Sequence, residues 1–335
     1  MRNTKFALVC GITFLAIIIF FFVSMNAGFI HIPLQNVLST LFGHGTEEDH
    51  MTIFQFRLPR IILAILIGAG MAVAGAILQG ASRNPLADPG ILGINAGAGF
   101  VVVLYMFLGR GTSFLATKTS VFIMPFAAFF GALCAACLIY ALAWKKGRVT
   151  PSRLLLVGIG VNAAFNSGIT ILQMKMEPTD FTKALVWLSG TIWSTSWQSV
   201  WTLCIWLLIL LLFAFSKAYV LEVLNLGDPI AIGLGTNVER ERRLLLIIAV
   251  AIAGGCVAVG GGITFLGLIA PHMAKMLVGS SYRKILPLSA LIGSLLLLLA
   301  DTLGRVIIAP AELPVGIVIS ILGVPYFVYL LLRKL

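Results

Sequence analysis

The sequence predicts an all-α, polytopic membrane bundle of about ten transmembrane helices, and three observations predict it. Apolar residues fill 60% of the 335 positions and charged residues only 10%, against about 25% charged in soluble domains. The apolar residues gather into ten separate runs, most of them near the ~20 residues a spanning helix needs. When those runs are threaded in turn, Lys and Arg sort to one side. No polar stretch is long enough to fold alone, so residues 1–335 read as one transmembrane domain.

The first run, 6–25, follows Arg2 and Lys5. It is longer than the ~7–15-residue apolar core of a signal peptide and lacks a small-x-small cleavage site, so it reads as an uncleaved span. The second, 61–81, places Gly68, Ala72, Ala76 and Gly80 on one face, a small-residue stripe that lets helices approach closely. The third, 91–108, opens at Asp88-Pro89, which reads as an N-cap and first-turn pair. The fourth, 120–143, holds Cys134 and Cys137, which read as small buried hydrophobes rather than metal or redox ligands. The fifth is 153–174, and the sixth, 198–215, begins in a cluster of Trp187, Trp193, Trp197 and Trp201. Indoles prefer the membrane–water interface. Only Gly260-Gly261-Gly262 separates the seventh, 244–260, from the eighth, 263–277. The eighth is short and contains Pro271, so it reads as a broken half-helix whose free backbone groups other helices must cover. The ninth and tenth are 287–307 and 316–332.

With the N-terminus inside, sixteen of the 23 Lys and Arg fall on the inner side. The outer seven are Arg57, Arg60, Arg110, Lys118, Lys175, Lys183 and Arg305. This bias predicts that both termini are cytoplasmic. It also accounts for the net charge of +11 without nucleic acid as a partner.

Four segments depart from plain apolar helix. Arg57 and Arg60 stand at the outer entrance to the second span, and Arg305 follows Asp301 by one turn with Glu312 beyond. These arginines either snorkel to the interface or present a basic surface to an acidic partner. Arg83 to Gly90 forms an inner turn. On the fifth span Asn162, Asn166, Thr170 and Gln173 share one helix face. That face either hydrogen-bonds another helix or lines a water-filled path. The longest inner loop, about 216–243, contains Leu226-Gly227-Asp228-Pro229, then Ala231, Leu234 and Gly235. It reads as a short helix at the membrane surface, either a plain connection or a dock for a cytoplasmic partner. No G-x-x-x-x-G-K-[ST] phosphate loop occurs, so ATP is not expected to bind this chain in that mode. Asp301 is the one acid well inside a span, thin material for the relay of an ion-coupled carrier.

Six motifs in order resemble the permease family of iron–siderophore and cobalamin ABC importers. They are R-L-P-R at 57–60, G-A-I-L-Q-G-x-x-R-N-P-L-A-D-P-G at 75–90, L-N-L-G at 224–227, G-L-I-A-P-H at 267–272, I-L-P-L-S-A-L at 285–291 and A-P-A-E-L-P-V-G at 309–316. The resemblance implies the type II ABC importer permease architecture in a bacterial cytoplasmic membrane. It implies a second permease subunit, identical or related, two cytoplasmic ATP-binding subunits and an extracytoplasmic substrate-binding protein. The cargo it implies is a ferric siderophore, with heme or cobalamin as the alternative. No cofactor is expected on this chain, because ATP and Mg would be held by the partner ATPase. Arg57, Arg60 and Arg305 match the family's docking positions for the binding protein. Asn162, Asn166, Thr170 and Gln173 fall on the family's path-lining helix. Leu226, Gly227, Asp228, Pro229, Ala231, Leu234 and Gly235 match its ATPase contact.

Overall fold

The computed structural model describes residues 2–28, 32–109, 120–145, 148–193 and 195–334. Arg110, Lys118 and Lys146 lie outside the described residues. The helices in chain order are α1 (Arg2–Asn26), α2 (Leu34–Leu41), α3 (Glu47–Met51), α4 (Leu58–Ser82), α5 (Ile94–Leu108), α6 (Ser120–Ala143), α7 (Pro151–Gln173), α8 (Pro178–Leu188) and α9 (Trp197–Ser216). They continue with α10 (Ala218–Asn225), α11 (Asp228–Gly233), α12 (Val238–Gly260), α13 (Leu266–Val278), α14 (Tyr282–Val306) and α15 (Val315–Lys334). A π-helical stretch, Thr52–Arg57, joins α3 to α4. The all-α expectation holds apart from one hairpin, in which β1 (Trp144–Lys145) pairs antiparallel with β2 (Arg148–Val149).

Among the described residues, seven helices are long and apolar enough to cross a membrane, and α5, α13 and α15 are shorter apolar helices. Together they match the ten expected runs. The short helices have local causes. Asp88 caps no spanning helix: its Oδ1 accepts from Gly90 N at 2.7 Å, closing a single turn, and α5 starts later at Ile94 because Gly93 adopts φ +90°. The turn is buried, with Ala87 and Asp88 fully enclosed, so α5 has a re-entrant lead. α13 likewise starts late, after Gly261 and Phe265 take positive φ.

The eighth run is a half-helix as expected, and the structure shows how its break is tolerated. Pro271 has no N–H to give the Gly267 carbonyl one turn earlier. Gln79 of α4 supplies the donor: its Nε2 lies 3.1 Å from Gly267 O and 3.4 Å from Leu268 O. The two helices come close because both are glycine at the crossing. A Cβ on Gly75 would fall 1.9 Å from Gly267 O. The predicted small stripe of α4 also meets α14, where a Cβ on Gly68 would sit 2.4 Å from Gly293 O. α4 is thereby the central helix, packed on α14, α12, α13 and α9.

The inner loop expected over 216–243 is mostly helical. Asn237 caps α12, accepting from Arg240 N at 3.1 Å. Glu239 and Glu241 occupy the first turn, where the helix dipole favours acids. The opposite end carries three helices the run pattern did not predict: α2, α3 and α8. Their signals are local. Thr46 caps α3 by accepting from Asp49 N at 3.2 Å. Pro178 opens α8, and Phe181, Ala184, Leu185 and Leu188 then repeat at helical spacing.

Replacing Gln79 with Met should leave the Gly267 carbonyl bare in the bundle, at a cost of about 1–3 kcal/mol. Thermal unfolding of the purified protein in detergent should show the drop. Adding Pro271→Ala restores a backbone donor to that carbonyl and should recover most of the loss; no recovery would mean that the Gln79 contact is incidental.

Candidate functional site

Three polar constellations stand out, one at each end of the bundle and one between them. At the α8 end, the π-helical stretch delivers Arg57 and the first turn of α4 delivers Arg60. One helical turn on α14 separates Asp301 from Arg305. Arg60 Nε lies 2.8 Å from Asp301 Oδ1, and Arg60 Nη1 lies 2.7 Å from Glu312 Oε2. Arg305 Nε lies 3.2 Å from Asp301 Oδ2. The other guanidinium nitrogens turn to α1. Arg305 Nη2 donates to Ser24 O at 3.2 Å and to the Ser24 hydroxyl, Arg305 Nη1 donates to Ala27 O at 3.3 Å, and Arg57 Nη1 donates to Met25 O. A helix leaves its last carbonyls without intrahelical partners, and arginine is well suited to cap them.

The expected outer basic surface is therefore an interior cluster. Arg57 and Arg305 are each only 6% exposed and Asp301 1%. Their guanidinium groups hold α1, α4 and α14 together instead of projecting outward. Sequence spacing could not show this, because the acceptors on α1 are remote in the chain and are mostly backbone atoms.

In the middle of the bundle, α7 does carry its polar residues on one face, and that face is open. Asn166 and Thr170 are exposed, Asn162 and Gln173 half-buried. Gly160, Ala163, Ala164 and Ser167 continue the exposed surface as small residues, with Leu156, Ile159, Ile171 and Met174 exposed among them. The polar groups bond largely within the helix. Asn166 Nδ2 donates to Asn162 O and Oδ1, both at 2.9 Å, and Thr170 Oγ1 donates to Asn166 O at 3.0 Å. The exposed faces of α6 and α9 are different, with Phe126, Phe130 and Leu133 on one and Ile205, Leu208, Leu212 and Phe213 on the other.

At the hairpin end, α10 and α11 form a knob. Gly227, with φ +107°, turns the chain between them, and Pro229 opens α11. Ala231 is fully buried against the bundle, while Leu226, Ile230, Ile232 and Leu234 are all more than half exposed. Gly235, also at positive φ, ends the knob. Asp228 anchors it: Oδ1 lies 2.8 Å from Arg242 Nη2 and 3.1 Å from Arg83 Nη2. Arg242 also donates to Ala81 O at 3.3 Å. The knob is thus tied to the ends of both α4 and α12. A further buried polar residue that the sequence reading passed over sits near the half-helix: Asn95 Nδ2 donates to Ile263 O at 2.9 Å. Its signal was a lone polar residue in an apolar run. Half-buried His272, on the half-helix itself, has Nδ1 2.6 Å from the Tyr326 hydroxyl.

A profile described as the FecCD transport family matches residues 16–333. The iron(3+)-hydroxamate import system permease protein FhuG of Bacillus subtilis (strain 168) is 54% identical over 332 residues, covering 99% of this chain and 98% of that protein. The hemin transport system permease protein HmuU of Yersinia pestis is 36% identical over 329 residues, covering 98% and 96%. A solved structure of a metal-chelate type ABC transporter in an inward-facing conformation superposes with a TM-score of 0.83, at 26% identity, over 98% of this chain and 100% of that one. The chain belongs to the FecCD transport family.

Arg60→Met should take one of its two cationic partners from the buried Asp301 carboxylate, leaving Arg305, and destabilise the protein by about 1.5–3 kcal/mol, the scale of a hydrogen bond to a charged group. Adding Asp301→Asn should cost less than the two single changes summed, a coupling that a double-mutant cycle of unfolding in detergent can measure. Simple additivity would refute the pairing.

Proposed function

We propose that this FecCD-family chain is the membrane-spanning permease subunit of an ATP-driven importer that moves a ferric siderophore of hydroxamate type into a bacterial cell by alternating access. The observation that carries the proposal is the polar stripe on the open face of α7. Polar side chains facing lipid are costly, so Asn162, Asn166, Thr170 and Gln173 call for a neighbour other than lipid. A second permease subunit, identical or related, placed against that face would enclose a water-filled path between the two. The hydroxamate assignment follows the FhuG relative, and heme or cobalamin is the alternative cargo.

The other two constellations take the remaining partners. The exposed apolar tip of the knob, Leu226 to Gly235, fits a groove on each of two cytoplasmic ATP-binding subunits, which would hold ATP and Mg themselves. Movement of the ATPase would be transmitted through Asp228 to Arg83 and Arg242, and so to α4 and α12. In this orientation both termini are cytoplasmic and the α8 end faces outward. A substrate-binding protein would dock there. Arg57 and Arg305 already serve α1, so an acidic side chain of that protein would engage Arg60 by displacing the half-exposed Glu312. Docking would then loosen the tie between α4 and the segment after α14.

The test is uptake into liposomes that contain the permease and its ATPase, with the loaded binding protein outside. Ferric hydroxamate should enter only with ATP inside; uptake driven by an ion gradient without the ATPase would overturn the proposal, and entry of heme or cobalamin alone would change the cargo. Changing both Ile232 and Leu234 to Asp should weaken co-purification of the ATPase about tenfold or more, the scale of a lost apolar hot spot. Asn166→Leu should slow uptake with ATPase assembly unchanged.

A further inference from the structure

Between α6 and α12, toward the hairpin end, lies an apolar groove of about 350 Å³. This falls within the ~300–1,000 Å³ typical of ligand sites. Leu133, Ala136 and Cys137 of α6 form one wall, and Leu246, Ile247 and Val250 of α12 form the other. Phe129 closes the deep end, its ring meeting Trp206 edge-on at 5.4 Å. Tyr140 and Arg243 stand at the other end. From Phe129 to Tyr140 a helix rises about 16 Å at ~1.5 Å per residue. That is close to half of the ~30 Å hydrocarbon core, the depth of one leaflet.

The surface around the groove is built for lipid. Phe130, Leu133, Leu138 and Ile247 are exposed beside it, without the asparagine and threonine side chains that mark α7. The charged end is interfacial in character. The Arg243 guanidinium carbon lies 5.9 Å from the Tyr140 ring centre and 5.4 Å from that of Trp144, and its Nε donates to the Tyr140 hydroxyl at 3.1 Å. Tyr140 in turn donates to Glu239 Oε1 at 3.0 Å. Exposed Lys145 and Arg240 and Arg153, whose Nη2 lies 3.1 Å from Leu142 O, share this end. Four cations against Glu239 leave it strongly basic.

An acyl chain gains no hydrophobic free energy by exchanging lipid neighbours for Leu and Val. Selection must therefore come from the head group, and basic sites between membrane helices favour anionic ones. We propose that the groove holds one acyl chain of an anionic phospholipid, with the lipid phosphate on Arg243. Neither the importer function nor the family relation assigns a ligand to this face.

Native mass spectrometry of the full-length, delipidated protein in detergent provides the test, with phosphatidylglycerol and phosphatidylcholine as probes. Phosphatidylglycerol should be retained in preference. Arg243→Gln should weaken its retention about fivefold, the scale of one lost basic contact to an anionic lipid, and leave phosphatidylcholine unchanged. Ala136→Phe, which fills the groove without touching the charge, should also weaken it. Arg283→Gln, at a cation–π pair with Tyr219 away from the groove, should have no effect. Equal retention of the two lipids by the unaltered protein, or any other pattern among the variants, would overturn the proposal. So would an oxidative dimer in native membranes that Cys137→Ser abolishes, since it would place a second copy of the chain on the groove.

Discussion

A carbonyl that loses its helical partner inside a membrane bundle must find another donor, because no water is there to serve it. This chain meets the demand with long polar side chains borrowed from neighbouring helices. Gln79 serves the Gly267 carbonyl freed by Pro271. Asn95 serves Ile263, at the non-helical approach to α13. Arg57 and Arg305 serve the last carbonyls of α1. Each donor sits on a different element from its acceptor. The irregular backbone that gives the bundle its half-helix and its re-entrant turn therefore exists only because particular helices lie side by side.

That dependence explains the composition of α4. A glutamine can reach the α13 backbone only if the helix axes are close, and Gly75 against Gly267 provides the approach. The same helix begins at Arg57 and Arg60, beside the ion cluster, and ends at Arg83, which pairs with Asp228 of the knob. α4 thus links the constellations at the two ends by one continuous, almost wholly buried rod. Close packing transmits a shift, because a tightly filled interface moves as a unit or rearranges. In the proposed importer, a push on α11 would reach the ion cluster through this rod, without a separate relay.

The ten apolar runs were legible because a span is a local property, readable from some twenty consecutive residues. The half-helix was legible for the same reason, from Pro271 and the glycines before it. The knob was legible as a segment, though not as two helices, because Gly227 and Asp228-Pro229 announce a turn and a cap. What escaped were pairings between distant positions. Nothing in R-L-P-R shows that Arg57 donates to the Met25 carbonyl of α1, and nothing near Pro271 names Gln79. Arginines at an outer boundary look alike whether they face solvent or cap a buried helix end. The short helices α2, α3 and α8 escaped for another reason: their apolar faces are too brief to stand out beside spans.

Exposure within the bundle has two chemical kinds, and the difference bears on what a path can do. The open faces of α6 and α9 are large and apolar, as lipid neighbours require. The open face of α7 sets a polar stripe among exposed Leu156, Ile159, Ile171 and Met174, and the stripe already spends much of its hydrogen bonding on its own helix: Asn166 on Asn162, Ser167 on Ala163, Thr170 on Asn166. Such a surface is wettable but offers few free donors to hold a solute. A strong site in the membrane would slow release to the far side, because a carrier's path must let go of what it admits. A wall of small, apolar and mostly self-satisfied polar groups suits passage rather than capture. Selection of the cargo would then fall to an external binding protein, and direction to the ATPase acting through the knob.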